Sequence, residues 1–146
     1  VTSLSHEGES MPTSTYENLD PLKKQTILFA CIDEFASKTF TESSINQIVK
    51  NAGIPRGSFY QYFADKEDCY LTILNVIASE KLALFKEIVE NDQTDTVFEE
   101  YEKMLDRAIL WIKEKPKYYQ IGAKMDMDNS DFIRKLLQSN QVSFDY

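Results

Sequence analysis

The sequence predicts an all-α fold, and three observations carry that expectation. From Asp20 onward apolar residues recur at three- and four-residue spacing. No stretch shows the period-two alternation of a half-buried strand, and no internal repeat is evident. Residues suited to opening a helix (Asp20, Ser44, Asp65 and Ser130) stand just ahead of the periodic segments. The 146 residues, 42% hydrophobic and 27% charged, suffice for one or two small units with a buried core. With 4 Gly and 4 Pro, collagen-like and low-complexity chains are excluded.

Residues 1–16 are polar and aperiodic, and the whole of 1–19 is expected to be a disordered tail. Met11 could be a natural start, leaving Val1–Ser10 as an extension; the alternatives stay open. Asp20-Pro21 opens the first helix, because a carboxylate accepts free backbone N–H groups and proline suits a first turn. Ile27, Leu28, Cys31 and Phe35 give it an apolar face, and it should stop near Lys38-Thr39. Ser44-x-x-Gln47 has the form of a capping box and starts a short helix that buries Ile45, Ile48, Val49 and Ala52. Gly53 breaks it.

Ile54-Pro55 begins a third short helix with Phe59 and Phe63 on one face. Asp65 then caps a long helix from Lys66 to about Asn91, striped by Tyr70, Ile73, Leu74, Ile77, Leu84, Phe85, Ile88 and Val89. A loop is expected at Asn91–Thr94. Val97, Phe98, Tyr101, Met104, Leu105, Ala108, Ile109 and Ile112 mark the next helix, which Pro116 ends. A short helical piece covers Lys117–Lys124, and Ser130 caps a last helix carrying Phe132, Ile133, Leu136 and Leu137.

The net charge of −8 gives no support to a nucleic-acid partner by itself. The charge is uneven, however: −3 over residues 1–19, +1 over 20–66 and −6 over 67–146. No apolar run reaches the roughly 18–20 residues that span a bilayer, and Val1–Asn18 lacks the features of a secretory signal. Cys31 and Cys69 lie on separate predicted helices, so neither a disulfide framework nor a zinc cluster is expected, and a cytoplasmic location follows. The single histidine, His6, leaves Ser-His or Cys-His activation without a partner. No phosphate-cradling Gly loop and no His-Glu-x-x-His site appear, so no catalytic residue, metal or cofactor is expected. Glu99-Glu100 with Glu102, and Asp126-x-Asp128, read as solvated acidic faces.

Two short helices joined by a tight Gly turn, 44–52 and 55–63, form a helix-turn-helix pattern. Ala52 is small enough for close helix approach, and Gly53 adopts positive φ without steric cost. Ile48, Ile54, Phe59 and Phe63 face inward. Arg56, Gly57, Ser58, Tyr60, Gln61 and Tyr62 are then left near the outer face, the part of such a motif that enters a major groove.

The stretch from Ile27 to Lys38, followed by Ser44-Ile-Asn-Gln-Ile-Val-Lys-Asn-Ala-Gly-Ile-Pro-Arg-Gly-Ser-Phe-Tyr-Gln-Tyr-Phe-Ala-Asp-Lys-Glu-Asp, resembles the DNA-binding domain of the TetR family of bacterial transcription regulators. The likeness spans about 45 consecutive positions, far more than a bare helix-turn-helix pattern. Thr39 departs from it, standing where the family usually has Gly, so the first turn should be built differently.

The resemblance implies a three-helix DNA-binding domain over 20–66 and a helical ligand-binding and dimerisation domain over 67–146. The family's dimer helices would come later than residue 146, so this second domain is expected to be incomplete. By the same resemblance, Ser44, Tyr60 and Lys66 contact phosphates. Arg56, Ser58, Gln61 and Tyr62 reach base edges, where Arg suits guanine and Gln suits adenine. Gly57 lets the backbone approach the duplex. Each side chain also has an ordinary reading: Tyr60 and Tyr62 as surface aromatics, Arg56 as a solvated cation.

Phe98, Tyr101, Trp111, Tyr118, Tyr119 and Met125 are candidates for lining a hydrophobic ligand cavity, although at helical spacing such residues also build cores. The expected function is therefore a ligand-responsive repressor. It would bind a palindromic operator in double-stranded DNA as a homodimer, and a small hydrophobic or amphipathic effector would release it. The alternative is a helical protein-interaction module that keeps the fold without DNA binding, which the near-neutral 20–66 segment and acidic remainder motivate.

Overall fold

The computed structural model describes residues 13–91 and 96–141, and these form helices without a strand among the described residues. In chain order they are α1 (Ser14–Glu17), α2 (Pro21–Ser37), α3 (Ile45–Ala52), α4 (Arg56–Tyr62), α5 (Lys66–Asn91), α6 (Val97–Glu114), α7 (Pro116–Met127) and α8 (Asp131–Gln141). Most of the expected tail and loop, 1–12 and 92–94, lies outside the described residues.

Local signals account for most helix starts. The Asp20 carboxylate accepts from the N–H groups of Leu22 (3.1 Å) and Lys23 (3.3 Å), and Asp65 accepts from Asp68 N–H at 2.8 Å. Asp68 in turn accepts from Ala64 N–H at 2.8 Å, closing a reciprocal cap. Burial raises the Asp68 pKa, against the pull of that Ala64 hydrogen bond.

The capping box expected at Ser44 is only half made. Ser44 Oγ accepts from Gln47 N–H at 3.4 Å, but the Gln47 amide turns to Asn51 (2.9 Å). The buried Glu34 takes its place, accepting Ser44 N–H at 2.9 Å while pairing with Lys38 at the same distance. A buried carboxylate with two donors is stable where an unpaired one would not be.

One core joins the elements. α7 runs along α2, and Ile121 and Ile133 pack with Ile27, Phe35, Phe59 and Ile73 in the same apolar cluster. Phe35 meets Tyr70 edge-on at 4.9 Å, Tyr70 meets Phe40 at 5.2 Å, and Phe40 meets Phe132 at 4.6 Å. The packing is thus continuous across positions 66 and 67. Cys31 and Cys69, far apart in sequence, bring their buried sulfurs to 3.3 Å between α2 and α5 as free thiols.

Three expectations are corrected. Residues 13–19 are not a disordered tail: Thr13 caps α1, and Tyr16 is only 3% exposed, held by aromatic partners. Ile45, expected to be buried, is half-buried. The α6 stripe is largely uncovered, with Val97, Phe98, Tyr101, Leu105 and Ile109 exposed and no residue of that helix buried, although α5 and α7 pack on it. Among the described residues, no helix is long and apolar enough to cross a membrane.

Candidate nucleic-acid interface

α3 and α4 are joined through Gly53, whose φ of 66° and ψ of 31° are left-handed, a backbone state that costs an L side chain energy. The turn closes with Ile54 N–H donating to the Val49 carbonyl at 3.0 Å. Ala52 is buried where the helices approach. From this base α4 turns Phe59 inward at 0% exposure, with Phe63 just beyond its end at 1%. Arg56, Gly57, Tyr60 and Gln61 stand exposed on the other side, and Ser58 is half-buried.

Arg56 is already oriented. Its guanidinium donates to the Asn46 side-chain oxygen on α3 and to the Tyr60 hydroxyl at 3.4 Å, with its carbon 6.0 Å from the Tyr60 ring centre. A planar fork held this way loses less rotamer freedom on meeting a base or phosphate. Asn46 was missed in the sequence, where only its place two residues beyond the Ser44 cap could have drawn notice. Ser44 is half-buried at the start of α3, and its hydroxyl can still donate its proton.

Tyr62 and Lys66 are not where the sequence pattern put them. Tyr62 is 4% exposed rather than outward-facing, because Tyr16 of α1 covers it at 6.5 Å between ring centres. Lys66 donates to the carbonyls of Phe40 (2.7 Å) and Ser43 (3.1 Å), and its ammonium lies 4.5 Å from the Phe40 ring centre. Its charge is spent on closing the turn after α2. Burial lowers the Lys66 pKa, opposed by the nearby Asp128, Glu34 and Glu67. That turn also answers the departure at Thr39: among the described residues only Gly53 has positive φ, and Ser43 N–H bonds the Thr39 carbonyl at 2.9 Å.

None of the hollows formed by the described residues alone gathers the six proposed ligand-contacting residues. An open groove of about 840 Å³ lies between α1, α2 and α5, lined by Leu19, Leu22, Leu28 and Val76 among others, and by none of the six. A hollow of about 390 Å³ between α2 and the α6–α7 junction has Tyr118 alone of the set. Trp111 packs on Tyr118 at 5.7 Å, and Met125 packs against the core. Phe98, Tyr101 and Tyr119 are exposed. Burial, helped by a 3.0 Å hydrogen bond to Glu80, pushes the Tyr118 phenol up to about 12. Among the described residues, no three His, Cys, Asp or Glu side chains group as a metal site.

Comparison with known proteins places residues 27–73 in the description "Bacterial regulatory proteins, tetR family". The chain is 31% identical over 122 residues to the HTH-type transcriptional regulator YerO of Bacillus subtilis, covering 82% of this chain and 37% of that protein. It is also 31% identical over 70 residues to the fatty acid metabolism regulator protein of the same organism, covering 48% of this chain and 34% of the relative. The chain thus spans about a third of the length of these curated relatives. Among solved structures, a TetR family transcriptional regulator from Chloroflexus aurantiacus superposes with a TM-score of 0.68 at 32% identity, over 86% of this chain and 59% of that one. A TetR-like regulator from Rhodococcus sp. RHA1 shares the fold, with a TM-score of 0.69 at 17% identity over 84% of this chain and 66% of that one.

Proposed function

The chain belongs to the TetR family of bacterial transcription regulators, and from that premise we propose that it reads double-stranded operator DNA with α4. The observation that carries this reading is the outward face of Arg56, Gly57, Tyr60 and Gln61, standing on a helix whose opposite face is anchored by Phe59. A rigid platform with a bidentate cation and an amide at its surface suits base edges in a major groove. Ser44 and Tyr60 serve as phosphate contacts, and Gly57 allows close backbone approach. Regulators of this family are transcription factors rather than enzymes.

The protein acts as a homodimer and a repressor. Its two recognition helices occupy successive major grooves about 34–36 Å apart, so the operator is close to palindromic. A small hydrophobic or amphipathic effector, bound in the helical unit after residue 66, releases the DNA. A complete switch of this kind needs about 5.5 kcal/mol of differential affinity. The contact of Asp128 with Thr41 supports this coupling, since it ties the α7–α8 junction to the turn before α3.

The test is fluorescence anisotropy with duplexes that the chain enriches from a random-sequence pool, titrated across salt concentrations. Preferred duplexes should bind more tightly than scrambled ones, with log affinity falling linearly against log salt. Equal binding to both, or none, would reject the reading.

A further inference from the structure

Thr13 and Tyr16 hold the recognition helix from outside the span that matches the family description, which starts at residue 27. Thr13 donates its backbone N–H to the Tyr62 carbonyl at 3.1 Å and its hydroxyl to the Gln61 carbonyl at 2.7 Å. These are among the last carbonyls of α4, groups that a helix end leaves without an intrahelical partner. Tyr16 places its ring 6.5 Å from that of Tyr62 and 5.1 Å from that of Phe63. The segment is anchored in its turn. Thr13 Oγ1 accepts Tyr16 N–H at 3.3 Å, Glu17 pairs with Lys24 of α2 at 2.7 Å, and the Lys24 ammonium lies 4.8 Å from the Tyr16 ring centre.

α4 has little to hold it in place by itself. It has seven residues, and Pro55 at its N-cap makes no side-chain cap hydrogen bond. Helices this short are marginal alone, so their order comes from what they pack against. Phe59 fixes one face of α4, while the Gln61 and Tyr62 carbonyls at its C-terminal end accept from Thr13. Base readout demands a side chain placed to within about 0.5 Å, which a fraying last turn does not supply.

We propose that Thr13 and Tyr16 are positioning residues for DNA reading, a strap that clamps the C-terminal end of α4 and so aims Tyr60 and Gln61 at the groove. The inference rests on the operator-DNA reading above. The strap would act through the orientation of α4 and not through charge, so it should govern sequence preference and leave the electrostatic component of binding alone. The buried state of Tyr62 follows from the same arrangement, because its cover is the Tyr16 ring.

Thr13→Ala, Thr13→Ser, Tyr16→Ala and Tyr16→Phe, each in the full chain, separate positioning from general stability. The probes are the duplex enriched by the unaltered chain from a random pool and a scrambled duplex of the same composition. Thr13→Ala should weaken binding to the preferred duplex about fivefold, the scale of one hydrogen bond, with scrambled binding and salt slope unchanged. Tyr16→Ala should cost more, while Thr13→Ser and Tyr16→Phe, which keep the hydroxyl and the ring, should recover the preference. Hydrogen exchange should speed up at α4 amides in both alanine variants. Unchanged α4 exchange, or an equal loss on both duplexes, overturns the strap while leaving DNA reading intact. If the unaltered chain enriches no shared sequence, DNA reading falls and the positioning role falls with it.

Discussion

The Asp128 carboxylate holds Thr41 at two points, accepting its backbone N–H at 2.8 Å and its hydroxyl at 3.0 Å across 87 positions of sequence. Ser130 N–H donates to the same carboxylate at 2.8 Å. The turn that leads into α3 is therefore fastened to the α7–α8 junction by one buried side chain.

That fastening should titrate. Burial alone would raise the Asp128 pKa, but the hydrogen bonds from Thr41 and Ser130 outweigh it and hold the carboxyl below its ordinary value. A carboxylate with a depressed folded pKa contributes stability above its unfolded value, near 4, and loses it as pH falls through the folded value. Asp128→Asn should thus lower the thermal midpoint at neutral pH, and the gap from the unaltered chain should narrow below about pH 4. A gap constant from pH 7 to pH 2.5 would show that the charge does not matter there.

Gly53 and Gly57 should respond oppositely to alanine. An added Cβ meets nothing within 4 Å at either position, so backbone conformation decides. Gly53→Ala should cost about 1–2 kcal/mol in denaturant unfolding, the penalty of a left-handed L residue. Gly57 has no positive φ, so Gly57→Ala should leave stability unchanged or raise it by up to about 1 kcal/mol, while weakening DNA binding several-fold. Unimpaired binding by Gly57→Ala would remove the close backbone approach from the proposal.

Lys66→Ala should destabilise the chain by about 1–3 kcal/mol, because the Ser43 carbonyl loses its ammonium donor and the Phe40 carbonyl keeps only its bonds from Ser43, in a part-buried turn. Its DNA affinity should keep the same salt slope. A slope reduced by about one unit would return Lys66 to the phosphate backbone.

The contrast between Asp20, Gly53 and Asp65 on one side and Tyr62 and Lys66 on the other explains what was legible in the sequence. Helix caps and a left-handed turn are settled within a few residues, and those three positions behave as their local patterns imply. The fates of Tyr62 and Lys66 depend on partners brought in from Tyr16 and from the 40–43 turn, which no local spacing encodes. Thr39 signalled that its turn would differ, but not that Asp128 would help to fasten it. The aromatic and Met residues of 98–127 gave composition without direction, and the exposed side chains of Phe98 and Tyr101 show how little periodicity says about which partner covers a face.

The most direct test compares the unaltered chain with Arg56→Ala by selection from a random duplex pool, followed by affinity measurements on the enriched and scrambled duplexes. The unaltered chain should enrich a shared, near-palindromic sequence. Arg56→Ala should relax the preference at one base pair in each half-site, at a cost of about 1–3 kcal/mol on the preferred duplex and little on the scrambled one. Enrichment of no shared sequence, or an equal loss on both duplexes, would contradict a base-reading surface on α4 and favour a protein-interaction module instead.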